Sequence, residues 1–269
     1  MEIGEIFGDA FKYPISDFQK MLIVGVLYVI CNLGSIFKQI GFYNSSIYFI
    51  LSIVGFIISF ILFGYGLSII KASIDLDDII PELDLKKNLV DGIKYFVVIF
   101  VYYIIPTIIT IVIGLVLGAG PFLSVFSEKT MAGINAATTS DQIRQVLSSV
   151  PQEAWVSLFA VMAIVSIIAI ILFIIFGTFA QIAVCRLAKY EKLGEAFSVG
   201  EIWEDLKEIG FFKVLAVVIL SALICTVIHM VLGILGIIPI IGVIIICLIA
   251  SSFTLLFSNR VLGLLYSEI

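Results

Sequence analysis

Five stretches of this chain contain no Asp, Glu, Lys or Arg: residues 21–37, 39–70, 95–127, 154–185 and 214–259. A helix needs ~20 predominantly apolar residues to cross a hydrocarbon core of ~30 Å, so stretches of this kind belong in a bilayer. Composition agrees, with 62% hydrophobic and 13% charged residues, far from the roughly 25% charge of soluble domains. The last stretch holds 46 residues, about 69 Å as a single helix, so it must fold back on itself. Gly236-Ile237-Ile238-Pro239 is the place for that turn, because glycine and proline interrupt a helix.

The gaps predict an all-α integral membrane protein with six transmembrane helices, near Met21–Phe37, Ile47–Ile70, Phe96–Leu117, Trp155–Ala180, Val214–Leu235 and Ile240–Ser258. The first is short, and Lys20 and Lys38 can snorkel outward to extend it. Residues 1–20 carry four acids and two lysines with no small-residue cleavage site, unlike a secretory signal peptide. With the N-terminus inside, twelve basic residues fall on the cytoplasmic side and three, Lys38, Lys129 and Arg144, outside. That bias predicts cytoplasmic termini.

Residues 9–13 read DAFKY and residues 91–95 read DGIKY, each shortly before a long apolar run. Around the first copy Ile3, Ile6, Phe7, Ala10 and Phe11 form an apolar stripe at helical spacing, with Glu2, Glu5, Asp9 and Lys12 opposite. Leu89, Val90 and Ile93 repeat the stripe before the third span, and Ile202, Trp203, Leu206 and Ile209 before the fifth. Ungapped alignment sets residues 7–12, 89–94 and 202–207 in register, while GEIFGD at 4–9 also echoes GEIWED at 200–205. The second, fourth and sixth spans run into Lys71, Arg186 and Arg260. The expectation is one polytopic domain, 1–269, of three repeats, 1–73, 74–190 and 191–269, each a cytoplasmic amphipathic helix plus a transmembrane hairpin. The charges of the pentapeptide read as solvation of the polar face, since exposed ion pairs stabilise little. The apolar faces fit either burial against the bundle or a place in the headgroup plane. The helices are not polybasic: residues 186–213 hold five bases against six acids, which argues against capture of anionic lipid.

Gly118–Pro121 is the expected end of the third span, and Pro106 an expected kink. In the outer segment, 121–153, Ser140-Asp141 and Val150-Pro151 bracket a short helix around Gln142–Leu147. Thr110, Gly114 and Gly118 on the third span, and Ser52, Gly55 and Ser59 on the second, read as close-packing faces.

No residue set points to chemistry. His229 is the one histidine, near the outer part of the fifth span, and reads as a packing residue. Cys31, Cys185, Cys225 and Cys247 fall singly in separate apolar stretches, without zinc or disulfide spacing. Neither a catalytic triad nor a glycine-rich phosphate loop nor a basic nucleic-acid stripe is present in the pattern. Asn44-Ser45-Ser46 matches a glycosylation acceptor but abuts a span. An enzyme would have to draw on Glu82, Asp84, Asp91, Arg186 and Arg260; a conduit would line its path with residues such as Asn32, Tyr102, Thr107 and Thr110.

IGEIFGDAFKYPISDF at the start, GYGLSIIKASIDLDDIIPELDLKKNLVDGIKY, SVGEIWEDLKEIGFF and the terminal NRVLGLLY together resemble the archaeal membrane proteins grouped as domain-of-unknown-function family 4013. The segment after PELD, DLKKN, lacks the aromatic residue associated with that position. The resemblance implies an archaeal cytoplasmic membrane and carries no catalytic, cofactor or metal residue. The expectation is therefore a non-enzymatic membrane component, without cofactor, that binds lipid or a partner: the bilayer itself, another membrane protein or a second copy, and no nucleic acid. The alternative is a conduit or transporter for lipid or a small uncharged solute. It would lack proton coupling, because no charge lies at mid-span.

Overall fold

The computed structural model describes all 269 residues, and every regular element is helical. The elements are α1 (Ile3–Ser16), α2 (Phe18–Cys31), α3 (Leu33–Gln39), α4 (Ser45–Ile74), α5 (Leu85–Val125), α6 (Glu128–Ala136), α7 (Ser140–Ser148), α8 (Gln152–Tyr190), α9 (Val199–Ile209), α10 (Phe211–Gly233), α11 (Ile241–Ile245) and α12 (Ser252–Tyr266). A π-helical stretch, Ile246–Ser251, joins the last two into one apolar rod, Ile241–Tyr266.

Five helices are long and apolar enough to cross a membrane: Ser45–Ile74, Leu85–Val125, Gln152–Tyr190, Phe211–Ile237 and Ile241–Tyr266. They mark a multi-pass membrane protein. The expected first span, Met21–Phe37, is divided at Asn32 into α2 and α3. Asn32 leaves the helical conformation, and its side-chain amide donates to the Tyr28 carbonyl at 2.9 Å, the local competition that makes Asn a helix breaker. A sixth crossing is counted only if α1 and α2, which meet at 82°, are taken as one bent span.

The turn expected at 236–239 is present: a short 3₁₀ turn ends at Ile237, and Ile240 takes a positive φ of 64°. The Ile240 amide donates to the Gln39 side chain at 2.6 Å. Two expectations about α5 change. Its amphipathic start is not a separate element but the first turns of a 41-residue helix, and Gly118–Pro121 does not end it. Pro106 and Pro121 are both inside the helix, as membrane helices allow when neighbouring groups satisfy the freed carbonyls. The short helix expected after Ser140-Asp141 is present as α7, and Thr139 caps it. A second short helix, α6, was not expected from the sequence, although Ser127 caps it by accepting from the Thr130 amide.

The chain divides into two compact units, residues 1–100 with 178–269, and residues 101–177. In the first, α4 and α12 pack along each other, and α1, α2 and α10 pack around them. Tyr13, Met21, Val24, Leu62, Tyr65, Ile69, Ile80 and Leu256 form its core. The loop before α5 is fastened by its carbonyls: Tyr13 donates to Ile79, Lys20 to Ile80 at 2.6 Å, and Tyr65 to Pro81 at 2.9 Å. In the second unit the C-terminal part of α5, α6, α7 and α8 up to Gly177 come together, with Gly133 of α6 against Val146 of α7.

Of the two places offered to the amphipathic helices, the bundle takes most of the apolar faces of the first and third, whereas in the second Val90 and Ile93 stay exposed. Ile6, Phe7 and Ala10 of α1 are buried, and the rings of Phe7 and Phe11 pack at a tilt against Phe257 of α12. Ile202, Leu206 and Ile209 of α9 are buried likewise.

Candidate functional site

At the charged ends of the helices in the first unit, two arginines are withdrawn from water. Arg260, its side chain 2% exposed, donates from Nε to Asp9 of α1 at 2.7 Å, and from its two terminal nitrogens to the Asp77 carbonyl at 2.6 Å and to Asp78 at 2.5 Å. The guanidinium also sits 4.7 Å from the centre of the Tyr13 ring. Three segments distant in sequence are thus fixed by one planar cation, which arginine can do because it presents five donors in a rigid fork. Burial pushes the Tyr13 phenol up, against the pull of Arg260, so it remains a neutral donor.

Arg186, 4% exposed, has an equivalent setting. It donates to Asp205 of α9 at 2.8 Å, to the Glu195 carboxylate at 2.9 Å and to the Glu195 carbonyl at 3.2 Å. Tyr266 donates to the same Asp205 oxygen at 2.6 Å. The contacts select one of the two sequence registers: Asp205, the last residue of GEIWED, faces its arginine as Asp9, the last of GEIFGD, faces Arg260. Glu204, which ungapped alignment sets against Asp9, makes no such contact. Asp9 is therefore more than a solvating charge, as a carboxylate facing a buried guanidinium must be.

Lys71 differs. It is 40% exposed and pairs at 2.5 Å with Glu191, which Lys87 also approaches at 3.7 Å. The hydrogen bond and charge of Lys71 hold the Glu191 carboxyl below its ordinary value. Asp91 is bound instead by Lys94 of its own helix, at 2.8 Å. Beside them Asn88 is buried, and its side-chain oxygen accepts from Ser68 at 3.2 Å while its amide nitrogen has no partner. Here α4 and α5 touch backbone to backbone. A Cβ on Gly64 would collide with the Asn88 carbonyl, and one on Gly92 with the Phe60 carbonyl, an approach that only glycine permits. Elsewhere in this unit, Lys213 holds Glu268 at 2.7 Å. Burial works to raise the Glu268 pKa, but hydrogen bonds from Lys213 and the Met1 amino group outweigh it and lower the value.

The residues that a catalytic site would have used are dispersed among these contacts. Glu82 pairs with Lys20 at 2.8 Å, and Asp84 caps α5 by accepting from the Lys86 and Lys87 amides. Arg186 and Arg260 have separate carboxylate sets. His229 is exposed, with Nδ1 3.0 Å from the Cys225 carbonyl of its own helix, so it does not pack as expected. The four cysteines are free thiols. The Asn44 side chain accepts from the Ile47 amide, capping α4. Of the conduit candidates, Tyr102 is buried and Thr107 donates to the Tyr103 carbonyl. Thr110 has a buried hydroxyl without a partner, and Asn32 belongs to the other compact unit.

The second unit holds a large concavity with an apolar wall, a groove of about 880 Å³ between α5 and α8. Gly114 and Gly118 form its floor, where an added Cβ would just touch Val165 and Val161 at 3.8 and 3.9 Å. Their lack of side chains leaves space as well as allowing approach. Phe122, Phe126, Trp155 and Phe159 line its outer end, with Trp155 edge-on to Phe126 and stacked on Phe159. At the opposite end Ser166 spends its hydroxyl on the Met162 carbonyl at 2.7 Å. The groove offers a ligand apolar surface and no charge.

No curated protein and no solved structure matches this chain. Residues 47–237, more than half of it, match the family described as Protein of unknown function (DUF4013), so the all-helical chain with five bilayer-length helices belongs to that family.

Proposed function

We propose that this protein is a non-catalytic, multi-pass component of the cell membrane that binds lipid or a membrane-protein partner, a second copy included. The observation that carries the reading is the groove between α5 and α8, mostly apolar, without charge, and of a volume ordinary for a small-molecule site. The inner charges, in contrast, are engaged in structural contacts. We assign the chain six spans, with α2 and α3 as a broken first one, both termini in the cytoplasm, and the archaeal membrane that the sequence resemblance implies.

The three-repeat organisation belongs to the same proposal. It is supported by the order of the contacts: Arg186, ending the second repeat, meets Asp205 at the start of the third, and Arg260, ending the third, meets Asp9 at the start of the first. Lys71 occupies the corresponding place beside Asp91.

Three measurements test the proposal. Native mass spectrometry of the protein released from mild detergent should retain lipid or a partner subunit; a bare monomer under all mild conditions refutes it. Liposomes with an imposed pH gradient or membrane potential should show no protein-dependent solute accumulation, and accumulation would establish the conduit instead. In a cysteine-free background, Lys86→Cys and Lys192→Cys should be labelled from the cytoplasmic side and Asn135→Cys from outside; labelling of position 135 from inside removes the six-span topology.

A further inference from the structure

We infer that the groove between α5 and α8 is a binding site for the acyl chain of a single lipid of the outer leaflet. This rests on the lipid-binding reading and on the orientation proposed with it, and it names the ligand. The groove lies within residues 95–127 and 154–185, which carry no charged side chain. Its rim is continuous with surface that faces hydrocarbon: Leu115, Leu123, Phe159 and Met162 are all exposed on a bilayer-length helix. A soluble ligand has no route to such a wall, and a polar one would find no free donor or acceptor at Ser166.

Length selects the leaflet. From Trp155 to Ser166 the groove follows α8 for eleven residues, about 16 Å at ~1.5 Å per residue, or half of a ~30 Å hydrocarbon core. Trp155, the kind of residue that marks a membrane interface, stands at the end nearest the outer helices α6 and α7, so the chain would enter there and end beside Gly114 and Ser166. The charged residues nearest that end in the sequence are Glu128, Lys129 and Glu153, a mixed set without the basic excess that selects an anionic headgroup. The site would therefore read the chain and not the headgroup charge.

The test uses the full chain in phosphatidylcholine liposomes containing a photoactivatable phosphatidylcholine, with the reactive group at either end of one acyl chain, and peptide mapping of the adducts. The expected result is labelling concentrated on Leu123, Phe159 and Met162 above the comparably exposed Val227 and Met230 of α10. A reactive group near the headgroup should mark the Trp155 end, and one at the chain terminus the Ser166 end. Gly118→Leu should bring groove labelling down to the level of α10, since its side chain occupies the floor and a chain already in lipid is held by van der Waals packing, not by removal from water, and should leave α10 labelling unchanged. Gly118→Ala, which the spacing admits, serves as the folding control. Phosphatidylglycerol carrying the same label should give the same pattern. Even labelling of groove and α10, or labelling indifferent to Gly118→Leu, overturns the site. It would leave the broader reading to its own readout, co-purified lipid or partner. Reversed order of the two reactive positions overturns the leaflet assignment.

Discussion

The two arginine contacts and the lysine contact occupy corresponding places at the ends of long helices, yet they are built differently. At the Arg260 and Arg186 contacts aromatic side chains lie between α1 and α12 and between α8 and α9, Phe11 against Phe253 and Trp203 stacked on Phe179, and the guanidinium is buried among carboxylates from other segments. At Lys71 the two helices approach through Gly64 and Gly92, and the ammonium stays wet. The difference follows from the cations. A planar guanidinium is weakly hydrated and can have all its donors satisfied at a dry junction, whereas an ammonium is a strongly hydrated point charge. The α1–α12 and α8–α9 junctions are held by arginine, and the narrow α4–α5 junction by backbone contact.

The largest effect should come from the narrow junction. Gly92→Val drives a branched side chain into the Phe60 carbonyl, and the expected outcome is loss of the monodisperse protein on size exclusion. A folded Gly92→Val protein with unchanged melting temperature would mean that the backbones do not touch. Next, Asp205→Ala leaves Arg186 with only Glu195 and Glu201 nearby. Orphaning a buried charge costs about 3–5 kcal/mol, and the remaining acids place this variant at the lower end. Arg186→Met in the same background should recover much of the loss, because an uncharged side chain no longer needs a partner.

Asp9→Asn should be milder, about 1–2 kcal/mol, since Asp9 is 38% exposed and Asp78 still holds Arg260. That approaches the ~1.5–3 kcal/mol expected for a large buried side chain such as Phe7, so the pentapeptide's acid matters on the scale of its apolar face. Lys71→Ala should cost at most about 1 kcal/mol, as exposed pairs do. Its acid partner gives the smallest effect and a pH signature. A carboxyl whose folded pKa is depressed contributes stability present above its unfolded value, about 4.3 for Glu, and lost as pH falls through the folded one. The melting-temperature gap between the native chain and Glu191→Gln should therefore be constant near neutrality and close below about pH 4. A gap that widens in acid would show that Glu191 is not the group stabilised by Lys71.

Much of the fold was legible because bilayer-length apolar runs and helix-breaking residues act locally. The charge gaps anticipated the long helices, Gly236–Pro239 the last turn, and Ser140-Asp141 the outer helix. The broken first span was less legible, since it depends on one side chain, Asn32, turning to its own backbone. The cap at Ser127 was a signal for α6 that went unread. Of the inner contacts, the sequence displayed the basic residues and the repeated acids without their pairing, and it offered two registers between which only contact could choose.

By itself, then, the sequence determined where this protein can live and which segments must be helical, because hydrophobic length and backbone satisfaction in lipid admit few alternatives. Tertiary structure decided which charges are buried, because Asp9 and Arg260 are 251 residues apart and nothing local distinguishes a carboxylate that will face a guanidinium from one that will face water. It also decided that Gly114 and Gly118 border an open groove, whereas Gly64 and Gly92 close a helix contact. A missing side chain permits both outcomes, and the distance to the neighbouring helix selects between them.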